Sequence, residues 1–260
     1  MLRIIKLEWK KSIYSYKFWI SILGVCSIMY LNLTDEIRLL EGTDICSVLY
    51  LWMNRHLLGG ISILLLFICA LPSALQFNVE RNSGAMKDYI IYEGKRDYLC
   101  AKIIVTWAVT FLACLLGYVL LLIVLSLQFP LFLEDTEQLL IDFPYASVLG
   151  ESPFLFILVV LPEVGLYAFM SVVALFVSLY SSNTYVILVS PVIFFYLWNY
   201  LSGTLQLPEW LCWTLKRDYG FAFLNSVPTY MLFNLCYFLL GSMIIGGLFY
   251  RRGLEEVENV

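Results

Sequence analysis

The chain has 260 residues, of which 61% are hydrophobic, 17% aromatic and only 14% charged, with a formal net charge of −4. A soluble domain carries roughly 45–50% apolar and about 25% charged residues, so this excess points to lipid as the main solvent and against an aqueous globular enzyme. The weakly acidic balance also argues against a nucleic-acid binder.

The first element in chain order is a basic amphipathic stretch. Leu2, Ile5, Trp9, Ile13 and Tyr16 recur at spacings of three or four, while Lys6, Lys10, Lys11 and Lys17 cluster elsewhere. This predicts an interfacial helix over residues 2–16. No small-residue cleavage site follows the first apolar run, so a cleavable signal peptide is not expected.

Charge-free intervals place the membrane spans. Each reaches the range of roughly 17–25 residues that a crossing requires. We read six helices, near 17–33, 56–78, 99–127, 153–180, 185–206 and 228–250, with the polar turn Ser181-Ser182-Asn183-Thr184 dividing the longest interval. The runs are continuously apolar rather than alternating, which favours helices over a barrel. The fold class expected is therefore an all-α integral membrane protein, one transmembrane domain over 1–260.

Basic residues set the orientation. Residues 1–17 hold five, 79–102 hold five and the C-terminal tail holds Arg251 and Arg252, which is 12 of the 16 in the chain. With six spans these segments share one side, which the positive-inside rule makes cytoplasmic, with both termini inside.

The segment ERNSGAMKDYIIYEGKRDYLCAK, residues 80–102, packs nine charged residues between two apolar runs. Asn82 or Ser83 can cap a helix start, Ala85, Met86, Tyr89 and Ile90 form one apolar face, and Gly94 suits a stop. A short helix over about 83–93 is expected, with Asp97 capping the next span. Such a helix either floats on the bilayer or docks on a soluble partner.

The stretch FNVERNSGAMKDYIIYEGKRDYLCAKII, Phe77 to Ile104, resembles the first cytoplasmic loop of type-2 ABC transporter permeases. The positions that carry the likeness are Phe77, Glu80, Gly84, Arg96, Ala101 and Lys102. The family tends to have Thr after the Gly and Pro before the basic residue, where this chain has Ala85 and Lys95. The resemblance implies a coupling helix seated in a groove of a separate ATP-binding-cassette subunit. Glu80, Arg81, Gly84, Met86, Lys87, Asp88, Tyr89 and Ile90 would form the contact. ATP and Mg would be bound by that partner, since this chain carries no GxxxxGK[ST] loop. It also implies a second permease subunit, identical or not, and a peptide or hydrophobic drug-like cargo moved out of the cell.

Other residues carry weaker signals. Glu163 follows Pro162 inside a predicted span and is a candidate for the substrate path or for a paired structural acid. The 128–152 segment holds Glu134, Asp135, Glu137, Asp142 and Glu151 and no basic residue, as an outer loop would. Residues 207–228 hold Trp210, Trp213, Tyr219, Phe221 and Phe223 around Lys216 and Arg217, which reads as an interfacial element. His56 is the only histidine and stands without clustered ligands. Seven cysteines are scattered without CxxC, and Cys46 and Cys212 share the outer side, where a disulfide is open. Neither HExxH nor GxSxG occurs, so no catalytic site is assigned. An intramembrane enzyme and a sensor or immunity subunit that sequesters a peptide remain as alternatives.

Overall fold

The computed structural model describes residues 1–40, 47–54, 63–132, 154–208 and 227–258. These form helices only: α1 (Leu2–Ile13), α2 (Tyr16–Leu40), α3 (Val48–Asn54), α4 (Ile63–Ile68), α5 (Ala74–Ser83), α6 (Ala85–Glu93), α7 (Lys95–Ser126), α8 (Phe154–Val177), α9 (Thr184–Thr204) and α10 (Val227–Glu258). Among the described residues, five helices are long and apolar enough to cross a membrane: α2, α7, α8, α9 and α10. His56, Cys46, Cys212, the acids at 134–151 and the aromatics at 210–223 lie outside the described residues.

The second expected span, 56–78, is not one continuous helix. It breaks into α4 and α5 across a turn at Cys69–Ser73. Pro72 is the cause, because it lacks an N–H and its ring disfavours helical geometry at Leu71. Neighbouring groups take up the exposed backbone. Leu71 N donates to Ile68 O (3.0 Å) and Thr110 Oγ1 to Cys69 O (3.3 Å), while Ser73 Oγ ties the turn to α7 by donating to Thr106 O (3.4 Å). Such bonds satisfy backbone groups that the proline break would otherwise leave bare.

α8 is the central helix. Its apolar stretch is 72% buried, against 22% for α9 and 28% for α10. It packs on α10, α7 and α9, and α2 packs on the other side of α7. Pro162 and Pro191 sit inside α8 and α9.

α7 contributes a polar stripe at a spacing of four. Lys102, Thr106, Thr110, Cys114 and Tyr118 are all buried. Spacing of four keeps side chains on one helix face, and small polar residues there let neighbours approach closely.

The bundle has two distinct ends. One gathers α1, the end of α5, α6, the start of α7, the α8–α9 corner and the end of α10 around Phe77, Met86, Tyr98, Leu99 and Phe249. The opposite end gathers α3, the end of α7 and the start of α8. There Trp52 lies between Tyr118 (5.9 Å, edge-on) and Phe156 (5.7 Å, edge-on), and its indole N–H donates to Phe156 O (3.1 Å). Val48 N donates to Pro130 O (2.9 Å) at the same end.

Candidate functional site: an ionic junction beneath a short helix

α6 forms where the sequence predicts a short helix, although its boundaries are made differently. Asn82 and Ser83 do not cap it. Asn82 Nδ2 donates to Asn78 Oδ1 and Ser83 Oγ donates back to Glu80 O, so both serve the end of α5. Gly84 (φ +78°) and Gly94 (φ +87°) bound α6, in backbone conformations that side chains with a Cβ rarely adopt. Gly94 N–H closes the helix on Ile90 O (3.0 Å). Asp97 does not cap α7 either; it pairs with the amino group of Met1 (2.6 Å).

The faces of α6 correct a second expectation. Met86, Tyr89 and Ile90 do not form an outward apolar surface. Met86 is buried, and Tyr89 and Ile90 pack beside it against the bundle. The outward residues are Lys87 and Asp88, with Ile91 and Tyr92 77% and 85% exposed. Burying Met86, Tyr89 and Ile90 satisfies the apolar face within the chain, and nine residues of helix have only one opposite face left to present.

Behind α6 lies a junction of four charges. Lys102 Nζ sits between two carboxylates, 2.5 Å from Glu8 Oε2 and 2.7 Å from Glu80 Oε2. Lys11 pairs with Glu80 Oε1 and lies over the Tyr89 ring (5.0 Å). Tyr98 donates its hydroxyl to Glu80 Oε2 (2.6 Å) and stacks on Tyr89 (6.0 Å, 9°). Glu8, Glu80 and Lys102 are all at most 3% exposed. Two acids and two ammonium groups cancel, which is the condition under which charges tolerate burial.

Burial opposes ionisation of Glu80, but the adjacent Lys102 charge, with hydrogen bonds from Lys102, Lys11 and Tyr98, outweighs it and holds the carboxyl below its ordinary range. Burial also opposes the Lys11 charge, and Glu80 outweighs that too, leaving the amine above its ordinary value.

The junction was not legible as such. The apolar stripe of α1 predicts its contact face, yet Leu2 and Tyr16 are exposed while Ile4, Glu8 and Ser12 are buried. Ile5, Trp9 and Ile13 do pack, beside Phe18, Ile22 and Val109. The buried face is rotated by roughly a quarter turn from the stripe because Glu8 must reach Lys102. One signal existed: Glu8 is the sole acid in the first 34 residues.

The remaining site residues are placed as follows. Gly84 is the joint between α5 and α6. Glu80 faces inward and is not a surface contact. Arg81 also turns toward the bundle, donating to Ser178 O (2.8 Å) and Leu179 O (2.5 Å). Glu163 is half-buried in α8 and accepts from Tyr167 OH (3.0 Å), so it has a partner one turn away in its own helix and is not brought near α6. No cluster of metal-ligating side chains occurs among the described residues. Comparison with family models, characterised proteins and solved structures finds no match to this chain.

Proposed function

We propose that this chain is the membrane-spanning subunit of an ATP-driven exporter, moved by a separate ATP-binding-cassette subunit. The observation that carries the reading is α6. It is a nine-residue helix between two glycine joints, keyed to the bundle by Met86 and Tyr89, with Lys87, Asp88, Ile91 and Tyr92 turned outward. A short rod with a rigid attachment and a free mixed surface has the build of a lever.

In this reading the broken pair α4–α5 makes a sixth crossing beside the five long helices. The position of α3 at the aromatic end and of Glu80 at the ionic end supports this. The ionic end, with α1, α6 and the end of α10, faces the cytoplasm of the cell membrane, and both termini lie there. Binding of ATP and Mg occurs in the partner, whose closure presses on α6. A second permease subunit, identical or different, completes the path for a peptide or hydrophobic drug-like cargo. Glu163, within α8, belongs to the wall of that path.

The partner contact is Lys87, Asp88, Ile91 and Tyr92, with Gly84 as its hinge. Glu80, Arg81, Met86, Tyr89 and Ile90 act behind it, by transmitting and not by touching.

The test is capture of the tagged chain with an ATP-binding-cassette subunit. Wild-type protein co-purifies with such a subunit, and Ile91→Asp with Tyr92→Asp loses it while helicity and membrane insertion persist. Retention of the same subunit by the double variant overturns the reading.

A further inference from the structure

Glu80 and Arg81 are neighbours in sequence, yet they leave α5 in different directions. Glu80 reaches α1 and α7 through Lys11 and Lys102. Arg81 reaches the other side of the bundle. Its Nη1 donates to Ser178 O (2.8 Å) and Leu179 O (2.5 Å), the carbonyls just past the last residue of α8. Asn78, three residues earlier on α5, donates from Nδ2 to Ser182 O (3.0 Å).

Three carbonyls of one corner are therefore held from a single face of α5. The corner is itself ordered from within, since Asn183 Oδ1 accepts from Tyr185 N (2.9 Å) to cap α9. The carbonyl end of a helix carries partial negative charge, and a planar guanidinium can serve two carbonyls where an ammonium offers only a point charge. An arginine cap of this kind stabilises α8 in any case. What sets it apart is its address: Arg81 stands three residues before Gly84, the joint from which α6 starts, and Gly84 N–H donates to Arg81 O (3.3 Å).

We infer that Arg81 is a positioning residue that ties the α8–α9 corner to α6, so that one displacement of α6 is split between two halves of the bundle. Glu80 carries it to α1 and α7, and Arg81 with Asn78 carries it to α8 and α9. Since α8 is the central helix, the second branch is the one that reaches the middle of the bundle. The inference rests on the proposed function only for what pushes α6; the tie itself exists without the ATP-binding partner.

Hydrogen exchange on the full chain in lipid nanodiscs, with no partner added, tests it. Hydrogen bonds to a charged group contribute on the order of 1.5–3 kcal/mol, so their loss gives roughly a tenfold or greater rise in local exchange. Arg81→Ala raises exchange at 178–185 by that factor and leaves 2–13 unchanged; Glu80→Gln does the reverse. Arg81→Lys recovers part of the protection. Transmission is read by Gly84→Ala, which strains the joint at φ +78°. Alone it raises exchange at both 2–13 and 178–185. In the Arg81→Ala background it raises exchange only at 2–13, an outcome that capping alone does not produce. If Arg81→Ala does not fold, Arg81→Gln takes its place in both comparisons and gives a smaller rise confined to the corner. The inference fails if the corner keeps its protection without Arg81, or answers Gly84→Ala to the same extent with and without it. Because no ATP-binding subunit is present, these outcomes are independent of whether one exists.

Discussion

The two ends of the bundle are built from opposite materials. At one end, Trp52, Tyr118 and Phe156 meet edge-on, and the indole N–H donates to a backbone carbonyl. At the other, Glu8, Lys11, Glu80 and Lys102 join α1, α5 and α7 beneath α6. Aromatic packing grades smoothly with distance and direction. Buried ion pairs do not: they are either complete or costly. An aromatic contact therefore yields gradually to a displacement, whereas an ion-paired one resists it as a unit.

The sharpest way to break the contrast is Lys102→Met. It leaves Glu8 and Glu80 buried beside each other without their shared cation, and costs about 3–5 kcal/mol. Thermal unfolding of the purified protein in detergent registers the loss. A triple variant, Lys102→Met with Glu8→Gln and Glu80→Gln, recovers most of it by removing the three fully buried charges and leaving only Lys11, whose side chain is 35% exposed. No recovery would mean that the junction acts through packing and not through charge.

At the aromatic end, Trp52→Ala costs about 3 kcal/mol through the cavity it leaves. Its signature differs from that of Lys102→Met, since no second-site neutral substitution repairs it; repair requires a side chain that refills the space. The same unfolding measurement distinguishes the two.

The smallest effect is on pH. Glu80 has a folded value below its ordinary one. Its contribution is therefore fully present above the unfolded value, about 4.3 for Glu, and is lost as pH falls through the folded value. Melting temperature should stay level from neutral pH down to about 5 and fall below about 4. Glu80→Gln flattens that acid limb, whereas Trp52→Ala shifts the whole curve and leaves its shape alone.

These contrasts also explain what the sequence could and could not tell. Long apolar runs reported α2, α7, α8, α9 and α10, because composition alone makes a membrane-length helix. Gly94 and the polar island reported α6. The break in the second run was written in Pro72, but a proline inside an apolar stretch reads equally as a kink, as Pro162 does within the unbroken α8. The inward turn of Met86 and Tyr89 was not readable, since an apolar face has the same pattern whether it meets a partner or its own bundle. Lys102 counts as a topology signal in sequence, and only the approach of Glu8 and Glu80 turns it into the centre of a junction. That approach depends on contacts 94 and 22 residues apart, beyond any local pattern.

The 94-residue separation of Glu8 and Lys102 has a consequence in time. Chains grow at about 5–20 residues per second, so the first helix is synthesised roughly 5–20 s before its lysine exists. For that interval Glu8 has only the lysines of its own helix for company, Lys11 one turn away among them. Only arrival of α7 in the correct sense delivers the ammonium to it. The fastening of α1 thus waits for α7, and it records that the segments between were threaded in the right direction.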